Sequence, residues 1–424
     1  MELQSLQPLA QQLFADIRAL TFDGVGVTRA SYGAGENACA RHLEAFARAE
    51  GLEVTTDRAG NFVYSDPADT RQGPVIWTGS HLDSVPQGGN YDGLAGIVAG
   101  LLVLIAAKRQ GVTLPAPLQV IGFRGEESAW FGKAYMGSGA LWGKLTAADL
   151  ALQRREDGVT LGDALAACGA DLAAIARQDK LFNPADIRAY VELHIEQGPV
   201  MVARKIPLGV VSGIRGNVRH NLIGCVGEAQ HSGVVPRWLR HDAVFAVADL
   251  IMRLDTHWRA LLERGTDLVV TCGVVQTNPA EHSISRVPGY AHFSFEARSK
   301  SSDTLEAFYQ LVQAEMASIE RERGVKFQLD RRLLSEPAVT DPQLCDLMAK
   351  ACRERGIAHE RIPSGAGHDA ALFANGGVPS AMVFVRNQHG SHNPHEAMEL
   401  SDFMLGTQVM ADTIAAIPVA PASV

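Results

Sequence analysis

The sequence predicts a two-domain α/β protein: a mixed, mostly parallel sheet with helices on both faces, carrying an inserted domain of ferredoxin-like βαββαβ pattern. Three observations lead to this expectation. Strand-like and helix-like segments alternate from about Glu53 onward, the order changes between about Asn217 and Arg332, and 424 residues exceed what one ordinary core organises. The expected division is 1–214 and 333–424 for the larger domain, with 215–332 inserted.

Taken in order, the amino terminus MELQSLQPLAQQLFADIRAL lacks a basic start followed by an apolar run. No apolar stretch reaches the roughly 20 residues that a membrane span requires, so a cytoplasmic chain is expected. Val75–Gly79 has the pattern of a strand, and Leu94–Lys108, apolar and ending in Lys108-Arg109, that of a buried helix. Leu118–Phe123 is a strand, Ala-rich helical stretches run to Gln178, and Ile187–His194 is again a strand. Such alternation implies a parallel sheet covered on both faces. Ligands of open α/β sheets collect beyond the carboxyl ends of the strands, where His81, Asp92, Glu126, Glu127 and His194 all fall.

The inserted segment follows a different order: strand Val218–Val226, helix Asp242–Leu262, strands Leu268–Val275 and Tyr290–Arg298, helix Thr304–Glu322, strand Lys326–Asp330. A helix around Cys345–Arg355 and a strand at Ser380–Val385 then return to α/β character. The Pro/Ala-rich tail Ile417–Val424 is expected to fray.

Composition excludes several classes. With 46% hydrophobic and 20% charged residues the chain is globular rather than disordered. Its net charge of -9, without basic clusters, argues against nucleic acid and against an anionic membrane surface. The cysteines (39, 168, 225, 272, 345 and 352) form no CxxC pair, so a thiolate zinc site and a disulfide scaffold are both disfavoured.

Four polar segments carry chemistry. In GSHLDSVPQGGNYDG (Gly79–Gly93) an imidazole directly follows an apolar strand and two aspartates follow it, donors that zinc or manganese prefer. In GFRGEESAW (Gly122–Trp130) the neighbouring carboxylates Glu126 and Glu127 repel unless a cation stabilises them. One could then ligate and the other serve as general base. VELHIEQGPV (Val191–Val200) puts His194 within an apolar strand, and QHGSHNPHE (Gln388–Glu396) gathers three histidines in a loop. Each alone is commonly structural or surface; four metal-competent clusters at strand ends of one sheet are improbable as decoration.

These segments, with EAQHSGVVP and PSGAGHDA, resemble the zinc-dependent amidohydrolases of the hydantoinase/carbamoylase family, in the same order from about Arg29 to Asp402. HIEQGPV discriminates most, since related two-metal aminopeptidases usually place a carboxylate where His194 stands. The resemblance implies the di-zinc aminopeptidase-like fold and two divalent ions, Zn²⁺ first, with Mn²⁺, Co²⁺ or Ni²⁺ also suited. One ion would be held by His81 and His194, the other by Glu127 and His392, with Asp92 bridging. Asp83 would orient His81, and Glu126 would be the catalytic base.

It further implies a homodimer through the inserted lid domain, His231 reaching the partner's site, and Arg298 gripping a substrate carboxylate. Gln197, Gly365 and His368 are further candidate substrate contacts; His368 could instead cap the following helix with Asp369. Where the family commonly has Asn-Val-Ile-Pro-Gly, this chain has Ser285-Arg286-Val287-Pro288-Gly289, a departure bearing on substrate choice. The leading expectation is hydrolysis of a linear ureide, foremost an N-carbamoyl-L-amino acid, to amino acid, ammonia and carbon dioxide. Allantoate and N-carbamoyl-β-alanine are alternatives, followed by a dipeptidase or N-acyl amino acid deacylase, and then a non-catalytic binding protein.

Overall fold

Eight strands build the sheet of the larger unit: β1 (Glu53–Thr56), β2 (Phe62–Ser65), β3 (Val75–His81), β4 (Leu118–Phe123), β5 (Ile187–Ile195), β6 (Leu208–Ile214), β7 (His359–Ser364) and β8 (Ser380–Val385). The computed structural model, which describes residues 1–418, arranges them in the order β1-β2-β4-β3-β5-β8-β6-β7. The expected fraying of the tail falls, from residue 419 onward, outside the described residues.

The four central strands β4, β3, β5 and β8 are parallel, whereas β1, β2 and β6 join by antiparallel pairing. Parallel register brings their carboxyl ends together: His81 pairs with Phe123, and His194 with Phe384. β6 and β7 were not expected from the sequence, nor were the helices Gln7–Thr21 and Ala34–Ala49.

Period-two alternation sorts the two faces. Val191, Leu193 and Ile195 of β5 join a core with helix α1 (Leu94–Gln110) and the C-terminal helix Leu400–Ala416. Buried Tyr190, Glu192 and His194 alternate with them. Their face packs on the short helix Asp369–Asn375, where Phe373 stacks on Tyr190 with ring centroids 4.6 Å apart. α1 is buried along Leu94–Ala107, which explains its almost uninterrupted apolar sequence. Among the described residues no helix is long and apolar enough to cross a membrane, and all six cysteines are free thiols.

A buried ion pair anchors the loop that leaves β4. Arg124, one residue past the strand, donates through Nε and Nη2 to Glu36 at 2.8 and 2.6 Å, and the Gly125 amide donates to the same carboxylate at 3.0 Å. Both side chains are essentially inaccessible. Removing one partner strands the other charge in the interior. Glu36→Ala is therefore expected to lower the unfolding free energy by about 3–5 kcal/mol in urea denaturation.

The second compact unit spans Gly213–Ala338. Its strands are all antiparallel, with Tyr290–Ser299 beside Gly216–Val226 at the centre. Val269–Thr271 and Val275–Thr277 flank the first, and Lys326–Leu329 and Leu333–Ser335 the second. The helices Ala243–Glu263 and Ser302–Arg323 complete the βαββαβ order and share one core with the sheet. The single strand expected over Leu268–Val275 is broken, because the Val274 amide donates to the Ser294 hydroxyl at 3.0 Å instead of continuing the ladder. The unit begins earlier and ends later than the range 215–332, since Ile214 and Ala338 exchange backbone hydrogen bonds of 2.8 and 2.9 Å that close its base.

Candidate metal centre

His81 ends β3, His194 lies one residue before the end of β5, and Glu127 follows β4. Asp92 precedes α1, and His392 lies in the loop beyond β8. Parallel pairing brings the strand-borne residues together, and the two loops deliver the others. Asp92 Oδ1 lies 3.6 Å from His81 Nε2 and 3.2 Å from His194 Nε2. Its Oδ2 lies 3.4 Å from His392 Nε2, which is 3.3 Å from Glu127 Oε1. These are two clusters, His81-Asp92-His194 and Asp92-Glu127-His392, that share one carboxylate, with ligand atoms in each within 4.8 Å of one another.

The orientation of the imidazoles suits cations. His81 Nδ1 faces the Asp83 carbonyl at 3.1 Å and His194 Nδ1 the Ile195 carbonyl at 2.9 Å, so each ring donates Nδ1–H and aims an Nε2 lone pair at Asp92. The Gly93 amide, pointing at His194 Nε2 from 3.3 Å, also treats that nitrogen as an acceptor. Asp92 Oδ1 is buried and accepts no hydrogen bond. Lone pairs and a carboxylate oxygen converge on a space that positive charge must fill. Gly93, at φ +69°, makes room for the His81 ring itself, because a Cβ there would lie 2.4 Å from it.

Electrostatics agree. Burial pushes the His81 pKa down, but the Asp83 and Asp92 carboxylates outweigh it and hold it well above the ordinary value. His194 is raised against burial by Asp92, and His392 is pushed up to about 11 by Asp92 and Glu127. Burial would raise Asp92, yet His194, His392 and His81 hold it well below the usual carboxylate range. Such a cluster collects protons or divalent cations in competition. Three imidazoles with carboxylates suit zinc, manganese, cobalt or nickel.

Asp83 organises the other side. Fully buried, it accepts the Glu126 and Glu127 amides at 3.0 Å each and the Ser31 hydroxyl at 2.6 Å, 3.4 Å from His81 Nδ1. It therefore fixes the main chain of both glutamates as well as His81. Glu126 lies in one group with His81 and Glu127. Burial first, then Glu127, Asp369 and Asp83, raise its pKa well above the ordinary value, while His81 opposes. A bound cation would oppose that rise, since nearby positive charge favours the ionised carboxylate.

Gln197 donates from Nε2 to Asp92 Oδ2 at 2.9 Å from a backbone at φ +64°. His368 occupies the N-cap position of helix Asp369–Asn375, but its side chain does not cap. The ring does not cap because it is buried, its Nε2 2.9 Å from the Ser364 hydroxyl and its centroid 4.5 Å from that of the His194 ring in an edge-on pair. Burial, then His194, depress its pKa well below the ordinary value. Gly365 is exposed between β7 and that helix.

Three candidates belong to the second unit. His231 is exposed on a two-residue ribbon paired with Arg286–Val287, and its Nδ1 accepts the Gly233 amide at 3.1 Å. Ser285, also exposed, has its hydroxyl 3.2 Å from that of Ser283. Arg298, opposite Asn217, pairs with Glu296 at 3.0 Å. Sequence reasoning passed over Glu192, which accepts from Ser80, Tyr190 and the Ala370 amide, and gave Asp369, which accepts from Ser138, no role beyond capping. Their only signal was their place in VELHIEQ and GHDA.

Residues 77–416 match the family model described as peptidase family M20/M25/M40. The chain is 31% identical over 369 residues to the N-carbamoyl-L-amino-acid amidohydrolase of Pseudomonas sp. (strain NS671), covering 87% of each chain. It is 30% identical over 364 residues to the allantoate amidohydrolase of Escherichia coli (strain K12), covering 86% of each. The crystal structure of an amidase of the hydantoinase/carbamoylase family from Burkholderia multivorans superposes with a TM-score of 0.86 at 27% identity, covering 98% of both chains.

Proposed function

Because this chain belongs to peptidase family M20/M25/M40, we propose that it hydrolyses the carbon–nitrogen bond of a linear ureide, foremost an N-carbamoyl-L-amino acid, yielding amino acid, ammonia and carbon dioxide. The observation that carries this reading is the pair of metal-competent clusters joined through Asp92 beside Glu126. His81, Asp92 and His194 would hold one divalent cation and Asp92, Glu127 and His392 the other, zinc being the first candidate. When bound, such a pair supplies Lewis acidity to a water and to the ureido carbonyl.

The side chains divide the remaining work. Glu126 takes the proton of the attacking water on its carboxylate and delivers it to the departing nitrogen. Asp83, holding the amides of Glu126 and Glu127, keeps that carboxylate in place while it moves the proton. Arg298 matches the carboxylate of a carbamoyl amino acid, since a guanidinium fork binds it at two points. His231 serves as donor to the developing oxyanion, contributed by the partner in a homodimer formed through the second unit. Exposed Trp238 (81%), Phe245 (62%) and Met252 (62%) on that unit support such pairing.

Allantoate is the second substrate reading, favoured by the similarity to the Escherichia coli relative. The test is ammonia release by the metal-reconstituted protein from N-carbamoyl-L-amino acids, allantoate and N-carbamoyl-β-alanine, beside cleavage of dipeptides and N-acyl amino acids. Release from at least one ureide is expected, with dipeptides and N-acyl amino acids turned over poorly. Cleavage of dipeptides or N-acyl amino acids without ammonia from any ureide would overturn the reading.

A further inference from the structure

We propose that Glu396 and Arg29 are positioning residues that grip the main chain of Asp92 from its amide and carbonyl sides, and so aim the carboxylate shared by both metal clusters. Glu396 Oε1 accepts the amides of Tyr91 at 2.8 Å and Asp92 at 3.3 Å. Arg29 Nη2 donates to the Asp92 carbonyl at 3.1 Å, and its Nε to the Leu82 carbonyl at 2.7 Å. Leu82 follows His81 directly, so one guanidinium ties both ends of the loop that carries the two ligands.

The chemistry of these contacts sets them apart from ordinary packing. Arg29 is fully buried and Glu396 nearly so, and desolvating either charge is costly. Buried charges ordinarily close on one another, yet here both are spent on the peptide groups around Asp92. Arg29 Nη1 and Glu396 Oε2 remain buried without hydrogen-bond partners. The chain is also shaped around the carboxyl group: a Cβ on Gly89 would lie 2.1 Å from Glu396 Cδ. Because Asp92 belongs to both clusters, the grip acts on both cations at once. His392, by contrast, belongs to one.

This inference rests on the reading of Asp92 as the shared ligand, and one titration separates the two. Metal-stripped full-length protein is titrated with Zn²⁺ against a chromophoric chelator, which reports the affinity of each ion. Glu396→Ala is expected to weaken both ions by roughly 10–100-fold, the loss typical when a partner of a ligand is removed. Glu396→Gln, which keeps an oxygen to accept the two amides, stays near the native protein, and Gly89→Ala, which displaces an intact Glu396, reproduces the loss. Should Glu396→Ala fail to fold, the contrast between Glu396→Gln and Gly89→Ala decides. Unchanged affinities, a loss confined to one ion, or a lowered melting temperature with native affinities would overturn the proposal. Asp92→Asn is the control: if it retains both affinities the shared-ligand reading fails, whereas if it loses both while Glu396→Ala loses neither, the grip alone fails.

Discussion

Glu126→Gln is expected to lower turnover by roughly 10²–10⁴-fold while the bound metal stays near native content. The substitution preserves shape and removes only the capacity to carry a proton. The loop keeps its position, because Asp83 holds residues 126 and 127 through their backbone amides and not through the side chain being changed. Glu36 and Arg124 secure the same loop from the other side. Metal analysis alongside steady-state assay distinguishes a lost proton carrier from a lost ligand. Native turnover in the variant would remove Glu126 from the chemistry, and loss of metal would make it a ligand.

His231→Ala is expected to cost roughly 10²–10³-fold in turnover, the scale for losing one oxyanion donor. Its exposure on the ribbon makes large unfolding effects unexpected, since surface changes away from special features are usually small. The more specific expectation concerns mixtures. In a heterodimer of His231→Ala and Glu126→Gln chains, one site combines an intact Glu126 with the partner's intact His231, and the other combines both defects. Random reassortment should therefore restore about a quarter of native activity from two nearly inactive preparations. Mixtures no more active than their parents, after verified subunit exchange, would show that the histidine is not shared.

Much of the larger unit was legible because its central strands are short apolar runs followed by polar, metal-competent residues. Leu118–Phe123 and Ser380–Val385 occur with the bounds that their patterns suggest, and the metal-competent residues do sit where these strands end. β7, His359–Ser364, was invisible because an edge strand with polar residues carries no apolar signature. β6 is a short run interrupted by glycine. His194 resembled an ordinary core histidine for a physical reason: β5 is buried on both faces, so apolar neighbours surround it in sequence. Its face becomes evident only when Val191, Leu193 and Ile195 are seen to pack with α1 while Tyr190 packs with Phe373.

The supporting polar contacts were the least legible part. Glu396 and the Asp92 amide are 304 positions apart, and Arg29 lies 63 from the carbonyl that it holds. No spacing rule connects such pairs; only the parallel register of the sheet and the loops beyond it bring them together. Substrate choice is hidden for a different reason. Ser285, His231 and Arg298, the side chains proposed to meet substrate, lie on the second unit and are of ordinary surface type in the sequence.

The most direct test of the central claim is the ammonia released from an N-carbamoyl-L-amino acid by one preparation assayed before chelation, after chelation, and after metal is restored to two ions per chain. The account predicts that release is lost on chelation and returns fully only when both clusters around Asp92 are filled. Undiminished release from the metal-free protein, or full recovery with a single ion, would contradict it.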